Sequence, residues 1–387
     1  MRCGLLALAM IASTSPWAGA WPSELEGSTA EETSVRVADA VDDLLGLSPS
    51  ETLWRLAWLD DLAVANESVP ITNPPWLTAA PLTLRPVLSK LWSGIVLARQ
   101  RVDDAFGALT DEELEDLLPL TLQAAHAIDD DNRGRADDAD REVAHAWAGV
   151  VGRVDREKLL QAGLAAARVV EGALPLAQGL VLPPALPAPA CATGPVLFET
   201  GDCLVVVGGS GANTYRRDTV VNLDFGGNDV YHNNAGGGSL FDVAGAWPTS
   251  FVASIAVDLG EGNDVYDGTD TLVGASQGVG CAGVGVLLDS GGSDHYAEPP
   301  VGCVGSELFF VSQGSAAAGV GVLWDRCSAG SCADTYSAHR FAQAVTLSGA
   351  GLLIDEGGAD VYELGGEGYG YGQGVAAAGL AAVVDGG

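Results

Sequence analysis

The sequence predicts an α+β multidomain chain, an N-terminal helical bundle followed by a parallel β-solenoid, β-helix-like, of about five to six coils. Three observations lead there. The pattern D-x-G-G-x-D-x-Y recurs down the second half: Asp224-Phe225-Gly226-Gly227-Asn228-Asp229-Val230-Tyr231, then Asp289 to Tyr296, then Asp355 to Tyr362. Looser copies run from Asp258 to Tyr266 and from Asp325 to Tyr336, and the leading aspartates stand 34, 31, 36, 30 and 30 residues apart, ending at Asp385. A second mark keeps the same register, because Gln277, Gln313, Gln343 and Gln373 each precede the next leading aspartate by twelve residues. The first half carries no such repeat and instead shows helix caps and helical spacing.

In chain order, residues 1–20 read as a secretory signal peptide. Met1-Arg2 is a short basic start, residues 3–13 are apolar, and Ala18-Gly19-Ala20 is an A-x-A cleavage site. The apolar run is too short to span a bilayer. The remaining chain holds 51 acidic residues against 17 of the 18 basic ones, a net charge of −34. Such a surface repels nucleic acid and anionic lipid and attracts cations. Export places the chain outside the cell, at the cell surface or in the periplasm.

Residues 21–172 are expected to form the helical domain. Ser48-Pro49-Ser50-Glu51 is a capping box with proline in the first turn, launching a helix through Trp54, Leu56, Trp58 and Leu62. Thr110-Asp111-Glu112-Glu113 is a second box, ahead of Leu114, Leu117 and Leu118. Asp155 caps a last helix rich in Ala and Leu. Five or six short helices suffice for a bundle with its own core, and Trp54, Trp58, Trp76, Trp92 and Trp147 read as core anchors. Asp129 to Asp140 loosely matches an EF-hand loop, with Asp129, Asp131, Gly134 and Asp137 on positions one, three, six and nine. Arg133 on a ligand position and Asp140 in place of the final Glu damage the match. The flanking His126, Glu142 and His145 offer a transition-metal alternative, and a solvated acidic turn is the plainer reading.

Residues 173–194 read as a stiff extended linker. No charge falls between 172 and 190, but Pro175, Pro183, Pro184, Pro187 and Pro189 exclude a regular spanning helix. The repeat domain, 195–387, holds 23 acidic residues against four Arg and no Lys. Apolar runs of three to five residues precede each leading aspartate (254–257, 284–288, 320–324, 352–354, 380–384), with glycines between them. That is strand-and-turn patterning, and about 30 residues give room for three short strands per coil. Residues 207–215 form a degenerate first copy, with Gly208 and Asn213 where aspartates would stand, as suits a cap. The sequence stops at Asp385-Gly386-Gly387, inside the next copy. Either more chain follows, or the uncapped edge invites end-to-end association. Six cysteines remain after export, and sequence neighbours suggest pairing 191–203, 281–303 and 327–332 among fifteen connectivities.

The aspartates carry the chemistry. In stacked coils equivalent residues lie roughly 4.8 Å apart. Two carboxylates at that distance repel by about 1 kcal/mol even at the dielectric of water. A hard divalent cation held by Asp oxygens and turn carbonyls removes the repulsion, and calcium suits an irregular oxygen cage better than magnesium. The candidate ligands are Asp224, Asp229, Asp258, Asp264, Asp289, Asp294, Asp325, Asp334, Asp355 and Asp360. The bland alternative is that these side chains bond their own turn backbones as Asx-turns, with no metal. The tyrosines and glutamines read as internal ladders.

Gly260-Glu261-Gly262-Asn263-Asp264-Val265-Tyr266 resembles the G-G-x-G-x-D-x-U turn of RTX-like calcium-binding glycine/aspartate repeat proteins, which are secreted and fold on calcium. The resemblance covers the turns, since the period here is near thirty rather than nine. It implies metal binding at Asp264 and its counterparts. Gly274-Ala275-Ser276-Gln277-Gly278 fits a nucleophile elbow, and residues 278–283 fit G-x-G-x-x-G, but both belong to the repeat and lack the helix those motifs need.

The sequence therefore reads as a secreted, non-enzymatic repeat protein whose turns bind calcium, the solenoid serving as a stalk or binding surface for extracellular polysaccharide or protein. Nothing pairs a nucleophile with a base. Two alternatives stand beside it. One is a β-helix polysaccharide lyase or hydrolase, by fold analogy. In the other the helical domain binds the partner and the solenoid is a spacer.

Overall fold

The computed structural model describes Ala9–Met10 and residues 46–59, 62, 64, 68–132, 134–242, 244, 249–300, 302–303, 311–327, 332–339, 341–365, 372–376 and 379–386. Helices come first: α1 (Pro49–Leu59), a 3₁₀ turn (Pro75–Thr78), α2 (Arg85–Phe106), α3 (Asp111–Asn132), α4 (Asp138–Val151) and α5 (Arg156–Ala177). Both expected capping boxes form. The Ser48 N–H donates to Glu51 Oε2 at 3.2 Å, and the Thr110 N–H donates to Glu113 Oε2 at 2.9 Å. Asp155 accepts from the Lys158 N–H at 3.1 Å and starts α5.

Helix α5 runs to Ala177, five residues into the expected linker, with Pro175 in its last turn. There the missing N–H and the ring disturb the helix least, because little helix follows. The EF-hand-like stretch is not one continuous loop, and only residues 134–137 of those described lie between helices. Asp129 and Asp131 lie inside α3, while Asp137 caps α4, accepting from the Ala139 and Asp140 N–H groups at 2.8 and 3.0 Å.

The strand-rich part follows, in parallel-rich mixed sheets. Eight strands order themselves as they occur in the chain: Val196–Glu199, Val205–Gly208, Val221–Asp224, Ala253–Asp258, Val284–Asp289, Gly319–Asp325, Gly349–Asp355 and Gly379–Asp385. All pair in parallel except the first two, whose antiparallel hairpin covers the starting edge beside the Cys191–Cys203 bridge. A second sheet stacks the short strands that end each turn, placing Tyr215, Tyr231, Tyr266, Tyr296, Tyr336 and Tyr362 in register. A small third sheet joins Gly238–Ser239, Gly280–Cys281 and Ala316–Ala317. The chain thus visits each sheet once per repeat. Within the expected leader, Ala9–Met10 pairs in parallel with Val375–Ala376, and the rest of residues 1–45 lies outside the described residues.

The long strands are buried on both faces, so they read as continuous apolar runs instead of alternating ones. One side chain set (Ala256, Leu287, Leu323, Leu353, Val383) joins the tyrosines in one cluster. The alternate set (Val286, Leu288, Val322, Trp324, Leu352, Ile354) joins the helices in another. Helix α5 seats on this sheet and on α2 through glycines. A Cβ at Gly163 would strike the Val320 side chain, and one at Gly94 the Val169 side chain. The bundle expected to hold its own core instead shares one with the strands, because α5 is apolar nearly all round and needs a cover on each side. The same helix is the one described helix long and apolar enough to cross a membrane, and most of that stretch is buried in the protein.

Trp76 packs edge-on to Trp92 with ring centroids 5.3 Å apart, and Trp147 Nε1 donates to Thr121 Oγ1 at 3.1 Å, as core anchors should. Trp54 departs from that expectation and stands exposed, with Arg55 over its ring. The Trp58 side chain lies outside the described residues.

Candidate metal centre in the aspartate turns

Each copy presents two aspartates with distinct jobs. The leading one ends a long strand, and in three copies it turns the chain by an Asx bond, its Oδ1 accepting the N–H two residues on, whereas Asp289 Oδ1 is buried without a donor. Gly226 donates to Asp224 at 2.6 Å, Gly260 to Asp258 at 3.1 Å and Gly357 to Asp355 at 3.0 Å. Its Oδ2 accepts from a tyrosine hydroxyl. Tyr231 donates to Asp258 at 2.7 Å, Tyr296 to Asp325 at 2.8 Å, Tyr362 to Asp355 at 3.0 Å, and Tyr215 to Asp224. The turn needs glycine, since Gly226 and Gly227 have φ of +103° and +149°. A Cβ at Gly262 would collide with the Gly227 carbonyl of the copy below.

The second aspartate bonds between copies. Its Oδ1 accepts the backbone N–H of its own counterpart in the preceding copy: Asp229 donates to Asp264 at 2.6 Å, Asp264 to Asp294 at 2.7 Å, Asp294 to Asp334 at 2.7 Å and Asp334 to Asp360 at 2.8 Å. The degenerate first copy joins in, the Asn213 N–H donating to Asp229. In every one of these five residues the other oxygen, Oδ2, is buried with no hydrogen-bond donor. Asp229, Asp264, Asp294 and Asp334 are at most 2 % exposed. A buried carboxylate oxygen without a donor is costly unless a proton or a cation meets it.

The sequence-identified aspartates converge. Asp224, Asp229 and Asp258 can each offer one oxygen such that all three lie within 4.8 Å of one another. So can Asp258, Asp264 and Asp289, then Asp289, Asp294 and Asp325, then Asp334, Asp355 and Asp360. All ten candidate ligands fall into these four groups, and several of the groups are able to hold a metal ion. Burial is the main reason their carboxyls stay protonated far above the usual range. Asp229 and Asp294 rise to about 7, Asp264 to about 9, Asp334 to about 6 and Asp355 to about 7. Asp224, Asp289 and Asp325 are also raised well above the usual carboxylate range, neighbouring aspartates adding repulsion to burial. No lysine or arginine side chain forms an ion pair with any of the ten among the described residues.

The tyrosines form the internal ladder expected of them, with ring centroids 4.5–4.9 Å apart along the whole row. The glutamines do not bond one another. Each adopts φ near +58°, and Gln277, Gln313 and Gln343 donate their amides to main-chain carbonyls of two successive copies, as Gln313 does to Tyr296 at 2.9 Å and Ser337 at 3.2 Å. Sequence reasoning missed the pairing of each tyrosine hydroxyl with a leading aspartate. The signal was available, since Tyr always closes the motif where Phe would pack as well. It also missed buried Asp218, which takes the Asn234 and Leu272 N–H groups at 2.9 and 2.8 Å.

The nucleophile-elbow match is a strand corner. Ser276 is fully buried and its hydroxyl donates to the Asn233 carbonyl at 3.2 Å. Residues 278–283 pass through the strand Gly280–Cys281 with no helix after it. All three cysteine pairings expected from sequence lie at disulfide distance, with Cα separations of 5.4, 6.3 and 5.7 Å. Such pairs suit an oxidising environment. Comparison with protein-family models, curated proteins and solved structures finds no match.

Proposed function

We propose that the strand-rich region is a parallel β-solenoid of a secreted protein, that calcium occupies its aspartate turns, and that the stiffened rod serves as a stalk or binding surface for extracellular polysaccharide or protein. The observation that carries the reading is the row of buried Oδ2 atoms without donors, each within a three-aspartate group. Oxygen-only donors, an irregular cage and glycine turns that bring carbonyls close favour calcium over transition metals and over magnesium. Isothermal titration of the full chain with calcium chloride after exhaustive chelation tests it. Uptake of several ions per chain with a rise in melting temperature is expected, and no uptake at millimolar calcium removes the proposal.

A second reading keeps the turns metal-free. The Asx bonds of Asp224, Asp258 and Asp355 favour it, because they use one oxygen of each leading aspartate without any ion. Under this reading protons meet the remaining oxygens. The carbohydrate-enzyme alternative calls for carboxylates along an open groove, whereas the repeat aspartates point into the protein.

A further inference from the structure

The four aspartate groups are not equivalent. Asp258 belongs to the first and second, and Asp289 to the second and third. The fourth, Asp334, Asp355 and Asp360, shares no member with the others and is built differently. The first three combine the leading aspartates of two successive copies with one second aspartate. The fourth combines two second aspartates with one leading aspartate. The change falls at the copy with four extra residues between its leading aspartate and its tyrosine, where the Cys327–Cys332 bridge closes the added loop. There Tyr336 also splits its hydroxyl between Asp325 and Asp355, at 3.0 and 3.1 Å, whereas the tyrosines before it address one aspartate each.

We infer that the chain binds divalent cations as a coupled row of three, joined through Asp258 and Asp289, plus one independent site at Asp334, Asp355 and Asp360. This rests on the metal-binding reading above. Each group contains an oxygen that lacks any donor and is buried in a residue at most 2 % exposed: Asp229, Asp264, Asp294 or Asp334 Oδ2. That oxygen, and not the count of acids, asks for a cation. The groups give the stoichiometry, one ion to each of the four. Four dications offset eight of the ten carboxylate charges, so the buried aspartates come near neutrality only when every group is filled, with two carboxyls keeping their protons. Shared aspartates bridge neighbouring ions. Removing one bridge therefore leaves two half-built cages.

Counting ions tests it, using calcium as the probe on the full chain. Wild type should hold four calcium ions, released in two classes of three and one as chelator is raised. Asp258→Asn and Asp289→Asn should each lose two ions. Asp264→Asn should lose one, and Asp360→Asn should lose one while the other three keep their affinity. Loss of a single ion from Asp258→Asn, or four sites of one class, overturns the row. If both bridge variants fail to fold, wild type loaded with manganese(II) gives the same answer by electron paramagnetic resonance. About a quarter of the ions should then give an isolated six-line spectrum, with the remainder exchange-broadened through the bridging carboxylates. Four isolated spectra overturn the row. Absence of any bound ion in folded wild type would sink the metal reading itself, which is a different result from four ions without coupling.

Discussion

Asp264 holds one proton-sensitive oxygen against the Asp229 backbone N–H and buries the other beside Asp258 and Asp289. Burial raises the group to about 9, and Asp229, Asp294, Asp334 and Asp355 to between about 6 and about 7, all above the ordinary 3.8. Folded-state values above the unfolded ones mean that the folded chain keeps protons the unfolded chain has released. In chelator, this contribution is fully present below about pH 4 and is lost as pH climbs through 6 to 9. Calcium reverses the slope, because it binds the deprotonated groups. Melting temperatures from pH 4 to pH 9, with chelator and with excess calcium, should therefore diverge. A melting temperature that rises with pH in chelator would contradict the assignment. The tyrosine hydroxyls are the second residue-scale lever. Tyr266→Phe removes the donor to buried Asp289 at 2.5 Å and should cost about 1.5–3 kcal/mol, read by urea unfolding. A loss below about 0.5 kcal/mol would show that this bond is not structural.

At the scale of elements, the glycines of α5 fix how helix meets sheet. Gly163→Leu should destabilise the chain by about 1–3 kcal/mol, because its side chain must displace Val320. Gly149→Ala in α4, with nothing within 4 Å of the new Cβ, should be neutral or gain about 0.5–1 kcal/mol. Equal effects from the two variants, by thermal or urea unfolding, would mean that α5 is not seated as described. Much at this scale was legible in the sequence. Ser48, Thr110 and Asp155 mark three helix starts because capping is a local interaction, decided within four residues. Leading aspartates end their strands where the motif places them. The docking of α5 was not legible as docking. Its apolar residues run round most of the helix, which suits a bundle interior and a helix clamped between α2 and a sheet equally well. Residues 284–288 and 320–324 held the missing hint, being apolar at every position except glycine. A strand without alternation needs a cover on each face.

For the molecule as a whole, each copy of the strand-rich part pairs with its neighbours in sequence, through the same residue types in the same register. Copies were recognisable from sequence for that reason. Which aspartates meet which was not, since the four extra residues near Asp325 change the grouping only once the chain is folded. Matching ends also make the chain editable by whole modules. Deleting residues 326–355 would join Asp325 to Glu356-Gly357-Gly358-Ala359-Asp360, restoring a regular turn, and would take both Cys327 and Cys332 with it. The shortened chain should fold with one rung fewer, about 4.8 Å shorter along the stack. Small-angle scattering and circular dichroism would detect it, and an unfolded product would show that the copies are not interchangeable. Copy number would then be a quantity that unequal recombination between repeats could change without inventing a new interface, so that length would vary by gene rearrangement faster than sequence does.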